Sequence, residues 1–243
     1  MIGRAGYDWV GIDYQHGSMS LAGVDSMLCA LAISRVPALV RVPSAYSGSD
    51  ICRILDYGAA GIIVPVVNTA AEAAAAVAAA RYEPEGIRSW AGPGVRAAMA
   101  DPDYTPQTAN AAVKCIMMIE TLAAVDNIEE IVAVPGVDAV FVGPSDLAHS
   151  GGLAPSLFAD DPKHVDRIVR VFRAAEEHGL VAGIYAGTVA AAKYWYGQGA
   201  RLLALTDDSA LLRMAAAAMV EDAQKWQPPT IAKAAAHDAA LAS

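Results

Sequence analysis

Five side chains, far apart in the chain, have the types that acid–base chemistry at a divalent cation needs. They are His16 in IDYQHG, Arg41 in LVRVP, Asp56 in LDYGAAG, Glu120 in MIET and Asp146 in GPSD. Two carboxylates supply hard oxygen donors of the kind that favour Mg2+ or Mn2+, with water or substrate completing the shell. A histidine that titrates near neutrality can take a proton from water or from a substrate hydroxyl. A guanidinium inside an apolar strand must meet an anion, because burying it alone costs heavily. Arg41 therefore faces either a substrate carboxylate or developing enolate, or a structural partner such as Asp13. Each of the others also has a plainer reading. Glu120 and Asp146 could be first-turn carboxylates favoured by a helix dipole. His16 could be an exposed loop residue, and Asp56 an aspartate near a helix end that faces water. His149, His164, His178 and His237 read as structural. Lys114 opens a strand and Lys163, Lys193, Lys225 and Lys233 fall in helical patterns. None is placed for a Schiff base, so activation of a carbonyl substrate falls to a metal.

The elements that must position these groups alternate. Near-continuous apolar runs at Trp9–Asp13, Ala38–Val42, Gly61–Pro65, Cys115–Glu120, Ala139–Val142, Ala182–Tyr185 and Leu202–Thr206 predict strands covered on both faces. Helical patterns lie between them at Leu21–Ala32, Ser49–Tyr57, Thr69–Tyr82, Ala123–Ala133, Pro162–His178, Thr188–Gln198 and Ser209–Trp226. The repeated order predicts an α/β fold with a parallel sheet, whose active site lies at the carboxyl ends of the strands. Reading past each strand end collects Asp13 to Gly17, Arg41, Asn68, Glu120, then Gly143, Ser145 and Asp146, then Tyr185 and Asp207. Glu120 and Asp146 end successive strands, about one βα unit apart, where one cation could bridge them. Seven strands fit either an open doubly wound sheet or a barrel short of one unit, and the count leaves both open. Gly58 and Gly136, each before a strand, predict left-handed helix ends. The irregular stretch from Tyr82 to Pro106 has the length of a functional loop.

Composition removes several classes. The 243 residues fit one domain, 1–243, with 227–243 as a peripheral or partly disordered tail. Lys+Arg 17 against Asp+Glu 26 leaves a net charge of −9, which argues against nucleic acid and anionic membrane as partners. The apolar runs are far shorter than the ~20 residues of a membrane helix. Three widely spaced cysteines match neither a zinc site nor a disulfide framework, and the N-terminus has no signal-peptide pattern. A cytoplasmic protein is the expectation.

The segments IDYQHG, LVRVP, LDYGAAGIIVPVVNTAAEA, RYEPEGIRSWAGP, MIETLAAVDNIEEI and VPGVDAVFVGPSDLAHSGG together resemble the HpcH/HpaI aldolase family, in colinear order from Ala5 to about Asp208. The resemblance implies a TIM-type (β/α) barrel of the phosphoenolpyruvate/pyruvate superfamily. The chain starts almost on the family's second unit, so the barrel is expected to lack the first βα unit. It implies a metal-dependent class II aldolase that cleaves a 2-oxo-4-hydroxy acid to pyruvate, or a related 2-oxo acid, and an aldehyde. By residue, it implies His16 as the base, Arg41 as stabiliser of the enolate and Asp56 as the group raising the basicity of His16. Glu120 and Asp146 become ligands of Mg2+ or Mn2+, with Co2+ also admitted. Gly143 and Ser145 hold the 2-oxo acid's carboxylate, where Ser145 replaces the family's usual alanine. Met118 and Tyr185 depart from residues that relatives use at the substrate. The same resemblance implies a homo-oligomer, a hexamer as a trimer of dimers. The alternatives are a citrate-lyase-like or malyl-CoA-type lyase of the same superfamily, or a member impaired by the missing unit.

Overall fold

Seven parallel strands, hydrogen-bonded in the order in which they occur, form the sheet. They are β1 (Val10–Asp13), β2 (Ala38–Arg41), β3 (Gly61–Val64), β4 (Lys114–Ile119), β5 (Ala139–Val142), β6 (Val181–Tyr185) and β7 (Leu202–Ala204). Every predicted strand forms, with ends shifted by a residue or two. The runs are apolar throughout because both faces are covered. On the outer face Val40, Ile62, Val64, Met117, Ile119, Val140, Val142 and Ile184 are buried in the larger core. On the inner face Leu39, Ile63, Ile116, Met118, Ala139 and Phe141 form a second, smaller core joined by Trp9 and Tyr185. The Trp9 and Phe141 rings meet edge to face at 6.4 Å. A flat sheet would hold β1 and β5 about 19 Å apart, four strand spacings. The sheet therefore curls around its inner core as a TIM-type (β/α) barrel does. Among the described residues, the outer edges of β1 and β7 pair with no strand.

This computed structural model describes residues 2–92, 95, 100–155 and 161–226. Part of the loop between Tyr82 and Pro106, and the tail 227–243, lie outside the described residues. The chain divides into two compact units, Met1–Leu205 and Thr206–Ser243. The first contains the sheet and α1 (Leu21–Ser34), α2 (Gly48–Asp56), α3 (Ala70–Ala80), α4 (Pro106–Ala112), α5 (Leu122–Asp126), α6 (Ile128–Val132), α7 (Pro144–Ser150), α8 (Pro162–Glu177) and α9 (Val189–Gly197). The second contains α10 (Asp208–Gln224), which starts at an Asp207 cap accepting from the Ala210 N–H at 2.7 Å. Among the described helices none is long and apolar enough to cross a membrane.

Local chemistry explains most of the helix limits. The alanine-rich α3 begins with a capping box, Thr69 with Glu72, and buries Ala73, Ala76, Val77, Ala79 and Ala80. Gly58 and Gly136 have φ of 94° and 90°, as their places before β3 and β5 predict. The helix expected over Ala123–Ala133 is instead two short ones broken at Asn127. The Asn127 side chain donates to the Asn68 carbonyl at 2.8 Å, so a tertiary bond fixes the break. Two helices were not expected. The first, α4, has Pro106 after a Thr105/Thr108 capping box, and the second, α7, has Pro144 in its first turn, a position proline suits.

Candidate active site

The carboxyl ends of β1 to β5 bring most of the expected residues to one rim. Asp13 and Arg41 are register partners at the ends of β1 and β2. Arg41 donates through Nε to Asp13 Oδ1 at 2.9 Å and through Nη2 to Oδ2. Asp13 Oδ1 also accepts the backbone N–H groups of Gln15 at 3.0 Å and His16 at 3.3 Å. One carboxylate thus orients the arginine and shapes the loop that carries His16, which is itself exposed. Burial raises the pKa of Asp13, but the hydrogen bond and charge of Arg41, helped by these two N–H groups, outweigh it and leave it lowered. The structural partner of Arg41 is therefore Asp13, and Nη1 takes no part in that pairing.

Glu120 follows β4 directly and is 3% exposed. It stands before the Thr121 cap of α5, so it is not a first-turn carboxylate. Its Oε1 accepts the Val66 backbone N–H at 2.8 Å. Its Oε2 would lie 2.5 Å from a Cβ placed on Gly143, so only glycine leaves that approach open. Desolvation raises the Glu120 pKa most. The Val66 N–H works against that rise, the charge of Asp146 adds to it, and the charges of Arg41 and His16 also oppose it, with a net upward result. These four groups therefore share one electrostatic neighbourhood. Asp146, in the first turn of α7, is exposed, and this carboxylate does occupy the helix-start position that the plainer reading assigned to it. Gly143 caps α7, its N–H bonded to the Ile119 carbonyl at 3.2 Å, and Ser145 is half-buried beside it.

Asp56 is elsewhere. It ends α2, a few residues before β3 begins, which is the amino-terminal rim of the barrel. There its Oδ1 accepts from Arg88 Nη2 at 2.6 Å, and the Arg88 guanidinium stacks 4.5 Å from the Tyr82 ring centroid. Within one chain Asp56 and His16 lie at opposite ends of the strands.

Two groups at the rim escape sequence reading. Val66 is a β-branched residue at φ 52°, a left-handed conformation that costs roughly 1–3 kcal/mol. Asn68, collected above only as a residue past β3, binds both the turn at Val66 and Thr121. A strained backbone N–H has no sequence signature.

Glu120 and Asp146 offer oxygen donors on one side of a rim that also carries an arginine and a histidine. Among the described residues no third His, Cys, Asp or Glu joins them, so a cation there would draw its other ligands from water or substrate. On the carboxyl rim of such a barrel, this set of groups suits enzymes that do acid–base chemistry assisted by a divalent cation. The comparisons narrow that class. The sequence profile of the HpcH/HpaI aldolase/citrate lyase family matches residues 1–215. A hydroxypyruvate/pyruvate aldolase from Rhizorhabdus wittichii is 36% identical over 223 residues, 92% of this chain and 88% of that one. A 5-keto-4-deoxy-D-glucarate aldolase from Klebsiella pneumoniae is 38% identical over 221 residues, covering 88% and 83%. A crystal structure of a family protein from Burkholderia cenocepacia superposes with a TM-score of 0.84 at 36% identity, covering 92% and 88%. The chain belongs to the HpcH/HpaI aldolase/citrate lyase family, and it is a carbon–carbon lyase of the class II aldolase type.

Proposed function

We propose that this chain cleaves, and in reverse forms, a 2-oxo-4-hydroxy acid, with pyruvate or hydroxypyruvate on one side and an aldehyde on the other. The observation that carries this reading is Glu120, an almost fully buried carboxylate held through Oε1 by the Val66 N–H and close enough to Asp146, Arg41 and His16 to feel their charges. In this reading Glu120 and Asp146 hold Mg2+ or Mn2+. The cation supplies Lewis-acid polarisation of the 2-oxo group when bound. His16 takes the proton of the C4 hydroxyl, directly or through a water. The electron pair left on the C4 oxygen forms the aldehyde carbonyl as the C3–C4 bond breaks, that bond's pair passes to C3 as the enolate, and a proton returned to C3 gives the 2-oxo acid. Arg41, with Nη1 outside its pairing with Asp13, steadies the oxyanion, and the backbone at Gly143 and Ser145 receives the substrate carboxylate. The name of the hydroxypyruvate/pyruvate aldolase relative supports both 2-oxo acids as candidates.

Asp56 can act on His16 only across an interface between chains, since one chain separates them by the length of the barrel. A homo-oligomer, a hexamer as a trimer of dimers, is part of the reading. It is supported by α10, where Leu212, Met214, Met219 and Val220 are 56–74% exposed. A cytoplasmic setting accords with Cys29, Cys52 and Cys115 as free thiols.

Pyruvate and hydroxypyruvate are to be tested against an aldehyde panel with Mg2+ or Mn2+, and with EDTA as control. Carbon–carbon bond formation that EDTA abolishes is expected, and turnover indifferent to EDTA would overturn the cation reading. His16→Ala should lose the aldol reaction but keep most decarboxylation of oxaloacetate, which needs no hydroxyl deprotonation. Light scattering that finds a monomer would overturn the assembly.

A further inference from the structure

We propose that Asn68 is a positioning residue for Glu120: it braces Val66 in its left-handed turn, so that the Val66 N–H fixes Oε1 and leaves Oε2 for the cation. The inference rests on the reading of Glu120 as a cation ligand. Valine has no intrinsic reason to occupy φ 52°, so neighbouring structure must hold it there. Asn68 is placed to do so, because all four of its hydrogen-bonding groups are engaged. Its side-chain Nδ2 donates to the Val66 carbonyl at 3.0 Å. Its Oδ1 accepts from Thr121 Oγ1, the residue next to Glu120. Its backbone carbonyl accepts from Asn127 Nδ2 at 2.8 Å, and its N–H donates to Glu72 Oε2 at 2.7 Å. Asn68 thereby ties the turn after β3 to Thr121 in the turn after β4 and to Asn127 at the break between α5 and α6, and the Val66 N–H points at the buried carboxylate.

A bond to one oxygen matters for the chemistry. A carboxylate free to rotate offers a cation either oxygen or both, whereas one held at Oε1 presents a single, directed donor. Groups that orient a ligand in this way typically change metal affinity by about 10–100-fold.

The test uses the full-length protein and reads two quantities, hydrogen-exchange protection of the amide at position 66 without metal and the Kd for Mn2+. Asn68→Ala should lower protection at least ~10-fold and raise the Mn2+ Kd about tenfold. Adding Val66→Gly should restore both, because glycine adopts this conformation without the brace. Asn68→Ser, which keeps a hydroxyl towards Thr121, serves as the milder companion where Asn68→Ala does not fold. Unchanged protection in a folded Asn68 variant, or no recovery with Val66→Gly, would overturn the brace. The underlying reading fails separately: if the wild type binds no Mn2+, or Glu120→Gln binds it equally well, Glu120 is not the ligand, and the exchange data still decide whether Asn68 holds the turn.

Discussion

The two rims of the barrel each carry an arginine–aspartate pair, and they are built to opposite ends. At the amino-terminal rim Arg81 is 4% exposed and nearly saturated. It donates to the carbonyls of Asn110, Val113 at 2.7 Å and Gly136 at 3.4 Å, and to Asp138 Oδ2 at 2.8 Å. Asp138 in turn accepts the Cys115 N–H at 2.8 Å, which locks the entry of β4 to that of β5. Nearby, Asn110 exchanges two bonds with the Tyr82 backbone. At the carboxyl rim Arg41 and Asp13 have side chains 23% and 42% exposed, Asp146 and His16 are exposed, and among the described residues no cationic side chain forms an ion pair with the buried Glu120. At the amino-terminal rim Arg81 and Asp138 bind strand ends to one another. At the carboxyl rim most of the charged groups stand open to solvent, where ions and reacting groups can reach them.

If that contrast holds, Glu120→Gln should have the largest effect on activity and the opposite effect on stability. Turnover with saturating Mg2+ or Mn2+ should drop by roughly 1,000-fold, since several kcal/mol of charge stabilisation depend on the site. The metal-free variant should melt above the metal-free wild type at neutral pH. The sign follows from the raised pKa of Glu120. Between its unfolded and folded values the native state binds more protons, so stability falls as pH rises through that window and stays lower above it. Removing the charge removes the loss, and a variant less stable than wild type at neutral pH would contradict this.

Breaking the opposite rim should do the reverse. Arg81→Met leaves Asp138 and three carbonyls without their shared donor and should cost about 3–5 kcal/mol, read by denaturant unfolding. Catalytic constants of the protein that remains folded should be near those of wild type. Gly143→Ala is a narrower probe. The added Cβ meets Glu120 Oε2 at 2.5 Å, Met118 Cε at 2.7 Å and Glu120 Cβ at 3.0 Å, whereas the φ of −94° suits alanine. A loss of kcat of about 10–100-fold is expected, with a stability loss of about 1–3 kcal/mol from overpacking.

The smallest effects concern Arg41 and Asp13 as a structural pair. Arg41→Lys should change stability by less than about 1 kcal/mol, because the pair is open to solvent. It should still lower kcat, because lysine loses the planar fork that holds Asp13 while leaving Nη1 for an oxyanion. A normal kcat would reduce Arg41 to a structural partner. The lowered pKa of Asp13 gives a contribution that is present above its unfolded value and lost as pH falls through the lower folded one. Acid titrations of wild type and Asp13→Asn should therefore differ by under about 1 kcal/mol, with the difference gone at the lowest pH.

Much of this protein is legible in its sequence because the signals are local. All seven strands are apolar runs that need no knowledge of their neighbours, and the capping residues Ser20, Thr69 and Asp161 mark helix starts within a few residues. Strand order along the chain then places Arg41, Glu120, Asp146 and the loop of His16 at one rim, because each follows a strand in a parallel sheet. The family motifs supply the rest of the expected chemistry. Tertiary structure alone decided what those groups touch. Asp13, rather than substrate, is the resting partner of Arg41; Asp56 belongs to Arg88 at the far rim; and Asn127 breaks a helix in order to reach Asn68. Above all, the N–H that holds Glu120 comes from a valine forced to φ 52°. Periodicity and propensity report what one segment prefers by itself, whereas these features exist only because segments distant in sequence are packed together and overrule that preference.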